Sequence, residues 1–292
     1  MKVAWVGVGV MGRSMVQHLV GKGHEVRVFT RSKDKISSLL QEGKVTWCGS
    51  PAEAADGADV GISMVGYPED VRQVVLGTEG FLSAKTRPRA VIDMTTSTPS
   101  LAREISTQAR GVGVESIDAP VSGGDIGARN AALSIMVGGS ERGFQLALPF
   151  LNVLGKTVVH HGGAGAGQHC KMVNQILIAS AMTGMCEALT YAQHSGLDAH
   201  KVIESVGGGA AGSWSVNNLG PRILKGDFAP GFFVDHFVKD LGIAVQEARA
   251  MRLQLPGLEH AEALFRQLQA QGHGSSGTQA LWKLFEAEIP RR

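Results

Sequence analysis

Cysteine is scarce in this chain. Cys48, Cys170 and Cys186 form an odd, scattered set without metal-ligand spacing, which argues against a disulfide framework or a zinc site and points to a reducing cytoplasm. Excess charge is missing as well. With 28 basic and 26 acidic side chains the formal charge is +2, so nothing electrostatic favours nucleic acid or an anionic membrane surface. A small neutral or anionic molecule is the expected partner. The opening Met1-Lys2-Val3-Ala4-Trp5-Val6 meets Gly7 and Gly9 before its apolar run reaches the length of a signal-peptide core, so no targeting segment is expected. The most apolar later stretch, Ile176 to Cys186, is far short of the ~20 residues that span a bilayer and reads as a buried helix. Internal repeats and low-complexity tracts are lacking too. The 39 glycines gather at the ends of apolar runs, where chains turn or come close to ligands.

What is present is enough for two domains: 292 residues, 43% of them hydrophobic, supply material for more than one core. From Val3 to about His161 short β-branched runs (Val3–Val8, Val26–Phe29, Val60–Val65, Ala90–Met94, Val114–Ile117, Ile135–Val137, Thr157–Val159) alternate with helix-like segments. Those segments include Gly12–Val20, Lys33–Gln41, Glu69–Leu76 and Ser100–Arg110. The alternation predicts an α/β domain over residues 1–164, a mostly parallel sheet with helices on both faces. After Gly162-Gly163-Ala164-Gly165 no strand run recurs and the apolar spacing turns helical, so residues 165–292 are expected to form an all-helical domain. Its first helix runs from about Gly167 to His194, roughly 40 Å at the standard rise, and closes at Ser195-Gly196. Further helices are expected over Ala199–Val206, Val216–Lys225, Val234–Ala250, Glu259–Ala270 and Gln279–Glu288. A substrate is expected in a cleft between the domains, at the carboxyl ends of the strands.

Gly7-Val8-Gly9-Val10-Met11-Gly12 follows a strand and opens a helix. In a dinucleotide-binding turn Gly7 makes the bend, Gly9 lets the pyrophosphate approach, Gly12 allows helix and strand to pack, and the amides around Val10 and Met11 meet phosphate. A bare glycine pattern is also compatible with an ordinary tight turn; its place in a strand–turn–helix–strand unit favours the cofactor. At the end of the second strand, where an Asp or Glu would bind the ribose 2′-hydroxyl, the chain reads Thr30-Arg31-Ser32. Arg31, helped by Ser32 and by Lys33 or Lys35, suits a 2′-phosphate instead, which favours NADP(H) over NAD(H). For Lys33 and Lys35 a solvated helix start is the better reading.

Lys171 and Asn174 lie three apart in Gly167-Gln168-His169-Cys170-Lys171-Met172-Val173-Asn174 and share one helix face. Carbonyl reduction needs a proton at oxygen as hydride reaches carbon, and a lysine with its pKa lowered in a closed cleft supplies one near neutral pH. Alone, a lysine at a helix start is more often a surface charge. A second segment, Asp118-Ala119-Pro120-Val121-Ser122-Gly123-Gly124, offers the Ser122 hydroxyl and consecutive backbone N–H groups to a substrate carboxylate; alone, it reads better as a glycine-rich turn.

Together these segments carry a resemblance. Gly7-x-Gly9-x-Met11-Gly12, Asp93-Met94-Thr95-Thr96, Asp118-Ala119-Pro120-Val121-Ser122-Gly123-Gly124, Gly167-x-x-x-Lys171-x-x-Asn174, and Phe228-x-Pro230-x-Phe232 followed by Lys239-Asp240-Leu241 stand in order along nearly the whole chain. The chain resembles the β-hydroxyacid dehydrogenase family, typified by 3-hydroxyisobutyrate dehydrogenase and by tartronate semialdehyde and glyoxylate/succinic semialdehyde reductases. The resemblance implies a Rossmann-like domain joined through a long helix to a helical one, assembled as homodimers or homotetramers, and hydride transfer between NADP(H) and a short aldehyde acid or hydroxy acid. It implies that Thr96 lies near the nicotinamide, that Ser122, Gly123 and Gly124 hold the substrate carboxylate, and that Lys171 is the proton donor with Asn174 assisting. It further implies that Phe232 lines the cleft, that Lys239 and Asp240 close over the nicotinamide end, and that Met64-Val65, with the Tyr67-Pro68 turn, covers the adenosine side. Two positions depart from the family: Thr95-Thr96 replaces Ser-Thr, and Gly277-Thr278-Gln279-Ala280 stands where Asp-x-Ser-Ala is usual. Two other readings are an imine reductase, against which Lys171 counts, and a non-catalytic cofactor-binding module, against which the Lys171–Asn174 pair counts.

Overall fold

The computed structural model describes residues 1–286, apart from residues 42 and 44 and the side chain of residue 35. The chain divides into two compact units, Met1–Lys171 and the residues from Met172 onward. Among the described residues the first unit contains β1 (Lys2–Val6), β2 (Glu25–Phe29), β3 (Val45–Trp47), β4 (Val60–Ser63), β5 (Ala90–Asp93), β6 (Glu115–Asp118), β7 (Val121–Ser122), β8 (Leu133–Gly139) and β9 (Gly155–Gly162) in one sheet. Their order is β3-β2-β1-β4-β5-β6-β8-β7, with β9 on β8. The six strands from β1 to β6 run parallel; β8 is antiparallel to β6 and β7 and parallel to β9.

Among the described residues seven α-helices accompany this sheet: α1 (Val10–Gly21), α2 (Ser37–Gln41), α3 (Pro51–Ala55), α4 (Pro68–Leu76), α5 (Pro99–Gly111), α6 (Gly124–Arg129) and α7 (Glu141–Leu154). Strand side chains alternate between two cores. Val3, Trp5, Val26, Val28, Ile62 and Ile92 pack with Met15, Val16 and Leu19 of α1 and Phe150 of α7. Ala4, Val6 and Val91 pack with Ala54 of α3, Val71 and Val75 of α4, and Ile105 of α5. Burial on both faces explains why β4 and β5 have no exposed residue and why these strands read as continuous apolar runs.

The register aligns the strand ends. Phe29 pairs with Val6, Val6 with Ser63, Ser63 with Asp93, and Asp93 with Asp118. The segments that follow, around Thr30, Gly7, Met64, Thr95 and Ala119, therefore leave the sheet along one carboxyl edge.

The second unit is helical. It takes in α8 (Ala166–His194) from Met172 onward, then α9 (Ala199–Gly207), α10 (Gly220–Leu224), α11 (Val234–Ala250), α12 (Pro256–Leu268) and α13 (Lys283–Glu286). Its described residues include one isolated bridge, Phe233 with Gly277. Met172, Ala179, Met182, Cys186 and Leu189 of α8 recur at helical spacing in a core with Phe237, Leu241, Phe265 and Trp282. The helix ends where Gly196 takes φ +78°, its N–H donating to Gln193 and that of Leu197 to Ala192, the pattern of a Schellman cap. At 29 residues, α8 extends well beyond the apolar run read from sequence and has the length and composition to cross a bilayer; many of its apolar side chains lie in the core of this unit.

The first turn of α8 belongs to the sheet unit, because Asp118 accepts from the amides of Gly165 and Gln168. Two helices differ from expectation. The helix expected over Val216–Lys225 is a π-turn, Ser215–Leu219, followed by α10. That expected over Gln279–Glu288 is a 3-10 turn, Thr278–Trp282, followed by α13, and its last two residues lie outside the described residues.

Phe237 is fully buried and meets Phe265 edge-on with 4.7 Å between ring centroids. Phe237→Ala is expected to destabilise the helical unit by about 3–5 kcal/mol, measured as a lower urea midpoint for that unit's unfolding.

Candidate functional site

The glycine turn after β1 is fixed by contact. Gly7 has φ +97°, and a methyl group there would strike the Met64 carbonyl oxygen; one on Gly12 would strike the Gly7 carbonyl oxygen. Trp5 Nε1 donates to that same carbonyl at 2.8 Å. A methyl group on Gly9 would meet nothing within 4 Å, so the surface at the start of α1 is open, with Val10 exposed and Met11 half-buried. The first amides of α1 point to that surface, where helix geometry favours an anion. At the end of β2, Thr30 is half-buried while Arg31 and Ser32 are exposed. Arg31 lies 3.5 Å from Asp70 of α4 with its side chain 85% exposed. Met64 and Val65 are half-buried, and the Val65 amide donates to the Thr95 hydroxyl at 3.0 Å.

Further along the same edge stands a buried polar network. Asp93 accepts from the Ser63 hydroxyl at 2.8 Å and from the Thr95 amide at 3.1 Å. Burial pushes its carboxyl up to about 6, against the hydrogen bonds from Thr95 and Ser63 that favour the charged form. Asp118 accepts from Gly165 N at 2.8 Å and Gln168 N at 2.9 Å; burial raises its pKa, and these amides oppose the rise. Lys171, only 6% exposed, donates from Nζ to the Val121 carbonyl at 2.8 Å. The amine therefore sits one residue before Ser122. Ser122 is half-buried, and Gly123 and Gly124 follow with φ +125° and +61°, values that favour glycine. Thr96 is half-buried. Thus the sheet unit brings the glycine turn, Thr96, Ser122–Gly124 and Lys171 to one edge.

In the helical unit, Asn174 Nδ2 donates to Gln175 Oε1 at 2.7 Å, and Gln175 Nε2 donates to Asp240 Oδ2 at 2.6 Å. Lys239 Nζ lies 3.0 Å from Asp240 Oδ1, with Asp240 almost wholly buried. Phe232 is half-buried and packs edge-on against Phe237 at 5.9 Å. His236 beside it has a pKa lowered by burial and then by Lys239, opposed by Asp240 and Asp235.

Sequence reasoning missed Gln168 and Gln175, which are 0% and 1% exposed. With Lys171 they fall at i, i+3 and i+7, one stripe of a helix, and that spacing of polar residues in an apolar stretch was the available signal.

The chain is similar to known proteins over nearly its whole length. Residues 2–163 match a family model described as the NAD binding domain of 6-phosphogluconate dehydrogenase, and residues 165–285 one described as the NAD-binding domain of NADP-dependent 3-hydroxyisobutyrate dehydrogenase. The uncharacterized oxidoreductase YkwC of Bacillus subtilis (strain 168) is 48% identical over 97% of this chain and 98% of its own length. The 2-hydroxy-3-oxopropionate reductase of Escherichia coli (strain K12) is 35% identical over 98% of this chain and 97% of its own. Among solved structures, a Mycobacterium tuberculosis 3-hydroxyisobutyrate dehydrogenase with L-serine superposes with TM-score 0.86 at 33% identity, covering 97% of this chain and 98% of that one.

Asp93 gives a pH test. Its carboxyl rises from 3.8 to about 6 on folding, so between those values the folded protein binds more protons than the unfolded chain and loses stability as pH rises. Asp93→Asn keeps an acceptor for Ser63 and Thr95 without the charge. The variant is expected to match the native protein near pH 4 and to gain over it through pH 6, by up to about 3 kcal/mol at neutral pH. Melting curves across that range check it, and a pH-independent difference would contradict it.

Proposed function

The chain belongs to the β-hydroxyacid dehydrogenase family of nicotinamide-dependent oxidoreductases, and on that premise we propose that it interconverts a short β-hydroxy acid and the matching semialdehyde with NADP(H), using Lys171 as acid and base. The observation that carries the reading is the placement of Lys171: its amine is buried and anchored on Val121 beside Ser122, at the sheet edge that also carries the Gly7 turn.

The residues present fit a dinucleotide. Positive φ at Gly7 and the open surface at Gly9 suit a pyrophosphate against the start of α1, with Val10, Met11 and Gly12 completing the turn. Bound there, the nicotinamide supplies or accepts the hydride. Arg31 carries the preference for NADP(H). An ion pair as exposed as Arg31–Asp70 contributes little to stability, so the guanidinium yields readily to a 2′-phosphate that accepts two hydrogen bonds. Thr30 and Ser32 flank it, and Met64 and Val65 cover the adenosine side.

Ser122, Gly123 and Gly124 hold the substrate carboxylate through the hydroxyl and backbone N–H groups, and Thr96 stands by the reacting end. An ammonium has three N–H donors. Val121 takes one at Lys171, which orients the group as it delivers a proton to the carbonyl oxygen on reduction and takes one from the hydroxyl on oxidation. Asn174, held by Gln175, assists; Phe232 serves the substrate, and Lys239 and Asp240 serve the cofactor.

Lys171→Ala is expected to lower kcat by about 10²–10⁴-fold while the NADPH dissociation constant stays nearly constant, measured by absorbance at saturating aldehyde acid and by fluorescence titration. Retained turnover would remove Lys171 from the role. Arg31→Ala is expected to raise KM for NADPH by about tenfold or more with little change for NADH; equal effects on both cofactors would show that Arg31 does not select between them.

A further inference from the structure

We infer that Gln168 is a positioning residue that locks the loop carrying Thr96 to the helix carrying Lys171; this deepens the proposed dehydrogenase reading and rests on it. The Gln168 side chain is fully buried. Its Oε1 accepts from Ser97 N at 2.9 Å and its Nε2 donates to the Thr95 carbonyl at 2.8 Å. The two bonds fall on either side of Thr96, so one amide group holds both flanks of that residue. They also fix the orientation of the amide, because the flipped side chain would set N–H against N–H and carbonyl against carbonyl.

The other end of the clamp is equally fixed. The backbone N–H of Gln168 donates to Asp118, and a methyl group on the preceding Gly167 would strike the carbonyl oxygens of Met136 and Asp118, so the first turn of α8 rests against the end of β6 and the middle of β8 by backbone contact. One turn on, Lys171 reaches Val121. Gln168 is thus the side chain through which the segment after β5 takes its register from the same turn that sets the lysine. Displacement of a reacting pair by about 1 Å costs on the order of 10²-fold in rate, so loss of the clamp acts on the chemical step more than on binding.

The test uses the full-length protein with NADPH and glyoxylate. Gln168→Met keeps the volume and removes both hydrogen bonds. The expected result is a kcat lower by about 100-fold, KM for glyoxylate and Kd for NADPH within about threefold of the native values, and amide hydrogen exchange at Ser97 faster by about tenfold or more. Turnover is normalised to NADPH-binding sites, so a merely structural role would change the site count and leave kcat per site intact; that result, or an unchanged Ser97 exchange rate, overturns the assignment. Should the Met variant not fold, Gln168→Asn, which keeps the amide one methylene short, is read by the same measurements. A native protein that binds NADPH and reduces no aldehyde acid sinks the function proposed above, while Ser97 exchange still decides the clamp.

Discussion

The buried carboxylate of Asp118 is the interaction on which the rest of the sheet unit turns. A carboxylate at 3% exposure loses its hydration, and amides aimed at it must make up the loss. Here they come from Gly165 and Gln168, N–H groups at the start of α8 that have no partner within the helix. One charge thus satisfies a helix terminus, and the terminus satisfies the charge, with the helix dipole adding in the same sense. The contact spans 47 residues of sequence and fixes where the helix starts relative to the strand ends. The position of Lys171, one turn further, follows from it.

That constraint explains why glycine is required so often at this edge. Gly138 and Gly167 face each other at Asp118, and a methyl group on Gly138 would crowd both the carboxylate and the Gly167 amide. Gly7 and Gly12 meet the same demand at the other end of the row. In both places backbone approaches backbone closely, one to expose helix amides and the other to consume them. The two helix starts consequently do opposite things: α1 keeps its amides toward open surface, and α8 spends its own on Asp118.

The alternation of strands and helices was legible from sequence because parallel strands buried on both faces leave uninterrupted β-branched runs, and the glycine turn was legible because each glycine has a separate steric duty. The helix α7 was not, although Phe150, Leu151 and Leu154 give it a buried face, because Pro149 interrupts its interior and proline there reads as a break. With only two residues, β7 has no periodicity to detect. Lys171 and Ser122 were singled out through local patterns, and Thr96 through the family resemblance. Their partners were not: the carbonyl that holds Lys171 lies 50 residues away, and the acceptor that holds Ser97 lies 71 away. A local pattern announces a chemical group, whereas its orientation is set by contacts that only the folded chain brings together.

The stripe of Gln168, Lys171 and Gln175 on α8 brings these points together. Apolar residues would suit a buried helix face better, since each buried amide or ammonium must have every polar atom matched or it destabilises the fold. The two glutamines are matched, but by different parts of the chain: Gln168 holds the segment around Thr96, and Gln175 holds Asp240 while receiving Asn174. Each glutamine uses both ends of its amide, one as donor and one as acceptor, so neither can be replaced by a group of single polarity without leaving a partner unpaired. Such a stripe lowers the packing efficiency of the helix and raises the precision with which it presents its neighbours. That exchange suits a helix whose polar side chains are each held to one direction by a named partner.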